Sequence, residues 1–321
     1  MSIIEAARQR IAARRGAPSA VDLGATASPK TLNRRQLRQW VTNGYLVLPG
    51  FFSAEQTELI TKDIGRLWDE RRTDDHGLGI DAYIDTPQER RMRFRHAPDE
   101  ARDLPYKLND VYLVSDSVRE TILDPRLVNV VADLLDGTPL VCNSLTFERG
   151  SQQRFHFDTF YMPPLVPNKM LATWIALEDA DDRAGPLRYY PGSHLIPPYH
   201  FSHGALHALA EEMPAFDEYI TPELESRQLE STTFPARQGD VFIWHAQLYH
   251  GGAPIEDMSL TRKSLVTHYL RVEDMERPYC EDIGGGRFYL KRDHQLPPDP
   301  DEAEGAEGES DGGTGEASAA S

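Results

Sequence analysis

The sequence predicts a mainly β fold with flanking helices on its N-terminal side. Two features carry this expectation. From residue 140 to 272 the chain is dominated by short runs of β-branched and aromatic residues, broken by glycine- and proline-marked turns. Ahead of them stand three helical segments with recognisable start or stop signals.

In chain order, residues 1 to 30 read as a loosely held leader. Within it, Arg8, Arg10, Arg14 and Arg15 among small residues suit a short amphipathic helix better than a transit peptide. Leu32 to Asn43 reads as a helix and Tyr45 to Pro49 as a strand. Ser53-Ala-Glu-Gln56 is a capping box, in which serine and glutamine satisfy each other's backbone N–H groups, and it opens a helix to about Arg71. Residues 73 to 105 are charged and aperiodic, so they read as irregular. Asp124 to Leu135 is a further helix, closed by Gly137. A proline-marked helical insertion from 195 to 235 interrupts the strands and suits either a lid or a surface excursion. From Pro297 the chain is Asp, Glu, Gly and Ser, too poor in apolar side chains to build a core. The expected organisation is a flexible leader (1–30), a single domain (31–296) carrying the 195–235 insertion, and a disordered acidic tail (297–321).

At 321 residues, one large domain with a sizeable core is expected. Residues 299 to 316 carry eight carboxylates and no Lys or Arg, which leaves −9 of the net −17 for the remainder. That balance argues against nucleic acid, whose phosphates need basic grooves. Two cysteines, Cys142 and Cys280, do not make a disulfide framework, and a reducing, cytoplasmic setting is expected. No apolar run approaches a membrane span. The expected partner is a small-molecule substrate; oligomeric state is not legible.

The chemistry concentrates at His156-Phe157-Asp158 and, about ninety residues later, His250. Two imidazoles and a carboxylate are the ligand set of a facial triad, which holds iron(II) by one face and leaves the other open. The run Arg154-Phe-His-Phe-Asp-Thr-Phe-Tyr161 reads as a strand, where residues two apart share a face, so His156 and Asp158 meet one metal while Phe155 and Phe157 turn away. The distal ligand has two candidates. His245 ends the run Val241 to Trp244, whereas His250 precedes Gly251-Gly252, whose bare backbone permits close approach, and His250 is the better choice. Arg262 follows His250 by twelve residues and opens the strand-like run that ends at Arg271. A hairpin between them would bring a guanidinium fork, suited to a carboxylate, beside the metal.

These residues resemble the phytanoyl-CoA dioxygenase family of iron(II)/2-oxoglutarate oxygenases over about residues 36 to 272. The likeness includes Gly44-Tyr-Leu-Val-Leu-Pro-Gly-Phe-Phe52 and the stretch from Thr173-Trp-Ile-Ala through Gly185-Pro-Leu to Pro191-Gly-Ser-His194. It implies a double-stranded β-helix, a jelly-roll of cupin-like form, with iron ligands at His156, Asp158 and His250. It assigns Arg262, Asn143 and Trp174 to 2-oxoglutarate, and implies O2 as the third reactant. The implied reaction hydroxylates an unactivated C–H bond and releases succinate and CO2. The chain departs from the family at Phe157, often Gln or Ser there, at Ala184, often Asn, and at Gly252, often Ser.

Two other classes fit the residues less fully. A cupin-like metal enzyme without 2-oxoglutarate has no use for Arg262, and a non-catalytic barrel has none for Asp158. Substrate identity is open. The aromatics around His156 suit an apolar or ring-bearing portion, and Phe160 to Leu165 suits either the pocket or the core. Lys107 and Asn109 lie in a segment that reaches the active site in the resembled family.

Overall fold

The computed structural model describes residues 18–299 other than 75, 85–88, 277–278 and 293–295. The helices form where caps are supplied. Helix α1 (Arg34–Asn43) starts on Asn33, whose side chain accepts from the N–H groups of Arg35 and Gln36, and it stops at Gly44 with φ +75°. Ser53 and Gln56 form the expected box at the head of α2 (Ala54–Glu70). Ser115 caps the short α3 (Asp116–Ile122), and Asp124 caps α4 (Pro125–Leu135). The stop of α4 is Asp136 at φ +48°, one residue before the glycine expected to close it.

Thirteen strands follow in the described residues: β1 (Tyr45–Leu48), β2 (Gly79–Ala82), β3 (Arg90–Arg93), β4 (Tyr106–Asn109), β5 (Pro139–Phe147), β6 (Leu171–Ala176), β7 (Leu187–Tyr189), β8 (Thr232–Thr233), β9 (Val241–His245), β10 (His250–Gly252), β11 (Ser264–Arg271), β12 (Cys280–Asp282) and β13 (Phe288–Leu290). The large sheet runs β1-β9-β6-β11-β5-β4-β2-β3, with β13 pairing parallel to β5 and carrying β12; the small sheet runs β10-β7-β8. The fold is the mainly β jelly-roll that was expected.

Period-two alternation divides the large sheet into two faces. Leu46, Ile175, Ile243, Leu265 and Tyr269 point to the helices and pack with Ile60, Leu67, Val131 and Leu135. Fully burying such side chains contributes about 1.5–3 kcal/mol each. Trp174, Phe242, Trp244 and Val266 point the other way, into a second core shared with Leu187 and Tyr189 of the small sheet. The functional cavity opens beside that second core. Between β5 and β11 the register passes from Asn143↔His268 to Val141↔Tyr269, so Cys142 is an extra residue. Such a bulge re-aims side chains locally. Here Asn143 faces the cavity while Val141 joins the helix-side core.

Several expectations need correction. Arg154 to Tyr161 is not a strand: only His156 bridges to His250, and residues 158–160 turn into a 3-10 helix. Residues 73 to 105 are not irregular throughout. They supply β2 and β3, each only four residues long; β2 is interior and β3, at the sheet's edge, is three arginines and a methionine, so neither shows a readable hydrophobic period. In the leader, residues 1–17 lie outside the described residues, but Leu23 and Ala25 are buried, and the Asp133 carboxylate accepts the N–H groups of Lys30, Thr31 and Leu32. The chain therefore packs well before residue 31. At the other end Pro297 and Asp299 still pack against β3 and the turn after it, and residues 300–321 lie outside the described residues.

The insertion contains α5 (Met213–Ser226). Its Phe216 and Ile220 bury against Phe157, Phe160 and Tyr249. It buttresses the metal-site segment from behind, and the cavity walls come from other parts of the chain.

Candidate active site

His156, Asp158 and His250 come together, with one ligand atom from each lying within 4.8 Å of the others. Two backbone hydrogen bonds set their spacing: His156 N–H donates to the His250 carbonyl at 2.8 Å, and His250 N–H to the His156 carbonyl at 3.1 Å. This pairing needs the glycines that follow. A Cβ on Gly251 would lie 2.7 Å from the Gln153 carbonyl oxygen, and one on Gly252 would lie 2.7 Å from Gln152 N.

The imidazoles are oriented for metal. His156 Nδ1 lies 2.8 Å from the Arg154 carbonyl oxygen and His250 Nδ1 lies 2.9 Å from that of Leu248. A carbonyl only accepts, so each Nδ1 carries the proton and each Nε2 presents a lone pair. Those atoms stand 3.8 and 3.5 Å from Asp158 Oδ1. Trp244 Nε1–H donates to Asp158 Oδ2 at 2.8 Å, which fixes the carboxylate and leaves Oδ1 for the metal. All three ligands are buried. Burial, then neighbouring His250, lowers the His156 pKa to about 3, so its ring is neutral and able to ligate. Burial alone would raise the Asp158 pKa, but His250, His268 and His156 outweigh it, and the carboxylate is held well below its usual range.

The triad lies on the wall of a cavity of about 330 Å³. At its inner end is Arg262, only 3 % exposed. Its Nε has no hydrogen-bond partner, and no acidic side chain pairs with the guanidinium among the described residues. The Trp174 and Phe147 rings lie 5.4 and 5.9 Å from its Cζ. Burial lowers its pKa to about 10, which still leaves it charged at neutral pH. A buried cation without a counter-charge is costly, and this one faces the cavity that holds the triad.

The phytanoyl-CoA dioxygenase (PhyH) family pattern matches residues 40–259, well over half of the chain. The chain belongs to the phytanoyl-CoA dioxygenase family. It is 25% identical over 274 residues to the ectoine dioxygenase of Stutzerimonas stutzeri strain A1501, covering 80% of this chain and 83% of that one. It is 23% identical to a probable alpha-ketoglutarate-dependent hypophosphite dioxygenase of Stutzerimonas stutzeri, over 78% of this chain and 82% of the other. Among solved structures, the non-heme alpha ketoglutarate dependent carbocyclase SnoK of nogalamycin biosynthesis shares the fold at a TM-score of 0.55 and 18% identity, covering 76% of this chain and 87% of that one. As a family member this protein is an iron(II)/2-oxoglutarate-dependent oxygenase, with O2 as the further reactant.

Of the other residues singled out in the sequence, Asn143 and Trp174 line the cavity, and so do Lys107 and Asn109. Tyr161 and Met162 line it too, whereas Phe160 packs with Phe201 and Phe216. Phe155 and Phe157 turn away, so the aromatics flanking His156 do not form the substrate wall. His245 sits outside the triad against Trp40 and His194, and burial lowers its pKa to about 3.

Sequence reasoning missed His268, which lies on the cavity wall with Nε2 3.5 Å from Asp158 Oδ1. A signal was present: Arg262, Ser264, Val266 and His268 are spaced by twos, so one strand face carries them all. It also missed Asp81 and Arg91 at the mouth, because β2 and β3 were not anticipated, and Arg292, which follows β13.

Proposed function

We propose that this protein hydroxylates an unactivated C–H bond of a small molecule, with His156, Asp158 and His250 holding iron(II) and Arg262 binding the far carboxylate of 2-oxoglutarate. The observation that carries this reading is Arg262: a buried guanidinium with no acidic partner among the described residues, in the same cavity as an open-faced triad. Iron with 2-oxoglutarate and O2 supplies the oxidising chemistry when bound, releasing succinate and CO2.

The chain's own residues bind, orient and exclude water. Trp244 steadies Asp158, and the Arg154 and Leu248 carbonyls fix the ligand imidazoles. Trp174 and Phe147 wall off the guanidinium from solvent, which strengthens its pull on a carboxylate. Asn143 and Trp174 complete the cosubstrate's end of the cavity. Asp158 occupies the ligand position that a halide would need, which favours hydroxylation over halogenation. A cupin-like enzyme that ignores 2-oxoglutarate would leave Arg262 buried without purpose.

The test is anaerobic addition of iron(II) and 2-oxoglutarate to the full chain. A weak visible charge-transfer absorbance, absent with either component alone, is expected from keto-acid chelation. No absorbance together with normal iron binding would mean that 2-oxoglutarate is not the partner of this site.

A further inference from the structure

Arg292 reaches the cavity wall from a part of the chain beyond the stretch that matches the family, which ends at residue 259. Its backbone is held on both sides. Before it, β13 pairs parallel with β5 through Phe288↔Leu140 and Tyr289↔Val141, and the Tyr112 hydroxyl donates to the Leu290 carbonyl at 2.8 Å. After it, Arg93 Nε donates to the Pro297 carbonyl at 3.0 Å, and Asp299 Oδ1 lies 2.9 Å from His96 Nε2. The side chain is anchored more loosely. Nη1 donates to the Cys142 carbonyl at 3.2 Å, and Nε stands 3.4 Å from Asp110 Oδ2. Asp110 is itself fixed. Its Oδ1 accepts from Asn143 Nδ2 at 2.9 Å and from Ser144 N at 2.7 Å, and Asn143 Oδ1 in turn lies 3.1 Å from His268 Nδ1. Among the described residues Nη2 of Arg292 makes no hydrogen bond, on a side chain that is 35 % exposed and lines the cavity.

Water can meet a spare N–H at a cavity mouth, so Arg292 alone would not define a ligand. The arrangement of charge around it does. Strand β2 lies between β3 and β4, with Asp81 opposite Arg91 on one side and opposite Lys107 on the other, so the three side chains form one row on one face of the sheet. With Arg262 and Asp158 set aside for 2-oxoglutarate and iron, the charged lining among the described residues is Arg91, Lys107 and Arg292 against Asp81. The carboxylates that oppose Lys107 and Arg292 belong to Glu89 and Asp110, which are not part of the wall. Two ion pairs are thus turned with the cation toward the cavity and the carboxylate behind it. Such pairs are neutral overall, but at short range they attract an anion and repel a cation.

We propose that Arg292 holds an oxyanionic group of the substrate, a carboxylate or a phosphonate, so the substrate is a compact organic acid whose remaining carbons reach toward the triad. The assignment rests on the iron–2-oxoglutarate reading of the site. Either oxyanion accepts readily from guanidinium N–H groups. The cavity of about 330 Å³ must also hold 2-oxoglutarate, which keeps the substrate small. A hydrocarbon chain laid across the row of Arg91, Asp81 and Lys107 would desolvate these groups without replacing their contacts with water.

The test uses the full chain loaded with iron(II) and 2-oxoglutarate. The probes are small carboxylic monoacids without a 2-oxo group, which do not mimic the cosubstrate, together with their phosphonic analogues and their neutral primary amides. Succinate release above the rate without additive is expected from acids and not from the amides, and the better acid class identifies the oxyanion. For the strongest acid, Arg292→Gln should raise the half-saturating concentration about ten- to a hundredfold, the loss of one or two charge-assisted hydrogen bonds. The preference for acid over amide should shrink with it, while the apparent 2-oxoglutarate constant, read from the charge-transfer band, should not move. Arg292→Lys keeps a charge opposite Asp110 and should fall between. Absorbance separates the failures: no charge-transfer band in the wild type overturns the 2-oxoglutarate reading itself. With the band present, stimulation by amides as strong as by acids, or by no acid of the panel, overturns the acidic substrate. A half-saturating concentration unchanged in Arg292→Gln overturns the role of Arg292. So does a rise matched by the 2-oxoglutarate constant, or one that leaves the acid-over-amide preference intact, since either marks a structural arginine. Should Arg292→Gln not fold, Arg292→Lys decides: a raised constant for the acid alone supports the assignment, and a wild-type constant overturns it.

Discussion

The two ends of the cavity treat positive charge in opposite ways. At the inner end Arg262 is buried, ringed by Phe147 and Trp174, and without an acidic partner among the described residues. At the mouth the cations among the described residues are matched: Arg91 with Asp81, Lys107 with Glu89, Arg292 with Asp110. An unpaired buried charge costs several kcal/mol and persists only where an anion of fixed shape will arrive. Charges paired with a carboxylate carry no comparable unmet cost. The inner end thus offers an unmatched cation, whereas the mouth holds its charges already paired.

The largest expected effect falls between the two ends, at the metal. His156→Ala, Asp158→Ala and His250→Ala should each abolish tight iron binding and turnover, because two protein ligands are too few to hold the ion. His245→Ala should keep the metal, since that ring packs against Trp40 and His194. Iron content after gel filtration checks all four. Metal lost from His245→Ala and kept by His250→Ala would reverse the ligand assignment.

Next comes the inner end itself. If Arg262 binds the far carboxylate as proposed, Arg262→Ala removes its bidentate partner, a loss of roughly 2 to 4 kcal/mol, or about thirty- to a thousandfold in the apparent 2-oxoglutarate constant. Arg262→Lys keeps the charge but not the fork and should fall between. Iron binding should survive in both. Lys263→Ala should be nearly silent, because Lys263 Nζ pairs at 3.3 Å with Glu178 on the partly exposed side of the strand. A normal constant in Arg262→Ala would erase the contrast between the two ends.

The site was legible in proportion to how local its signals are. His156, Asp158 and His250 carry a ligand chemistry, and Arg262 follows at a countable distance on a strongly periodic strand. His268 sits on that same strand face, but its meaning depends on Asn143 and Asp110, far away in sequence, so parity alone could not give it a role. The mouth was hidden because β2 and β3 are only four residues each, too short to show a period, and their pairing is a tertiary event. Arg154 to Tyr161 misled in the opposite direction. Its alternation is real, yet it comes from packing on either side of one bridge, with the insertion behind and the cavity in front. The capping boxes at Asn33 and Ser53 are wholly local, and only the second was read.

Acid should weaken the metal-free protein through its buried histidines. Burial lowers the pKa of His156 and His245 to about 3 and of His194 to about 4, from an ordinary 6.5. The unfolded chain takes up protons that the folded rings refuse. The stability they allow is therefore complete above pH 6.5 and lost as pH falls toward 4. One pH unit below 6.5, each contributes a loss of about 1.4 kcal/mol. Urea unfolding of the metal-free chain at pH 7.5 and 5.5 measures this. The loss should shrink when His245 is replaced by leucine, and an unchanged loss would mean that these rings titrate freely.

The smallest expected effect concerns the mouth alone. Asp299 is buried against Arg93, Arg95 and His96, with its nearest contact 2.9 Å from His96 Nε2, and Arg93 Nε donates to the Pro297 carbonyl at 3.0 Å. These contacts pin β3 and the turn after it, and with them Arg91. Truncation after Pro298 removes Asp299 and leaves three basic side chains without that carboxylate. Because the partners are partly exposed, the cost should be only about 1 kcal/mol, above a surface pair and below a buried one. Truncation after Pro300 keeps the contact and removes only residues of low apolar content, so it should cost almost nothing. Hydrogen exchange at Ile80–Ala82 and Arg90–Arg93 should quicken in the shorter chain only. The 2-oxoglutarate constant should stay the same in both, because Arg262 is held by Phe147, Trp174 and the Glu148 carbonyl that accepts its backbone N–H at 2.8 Å. A shift in that constant on losing Asp299 would show that the two ends of the cavity are mechanically coupled, and that the mouth helps to shape the inner site.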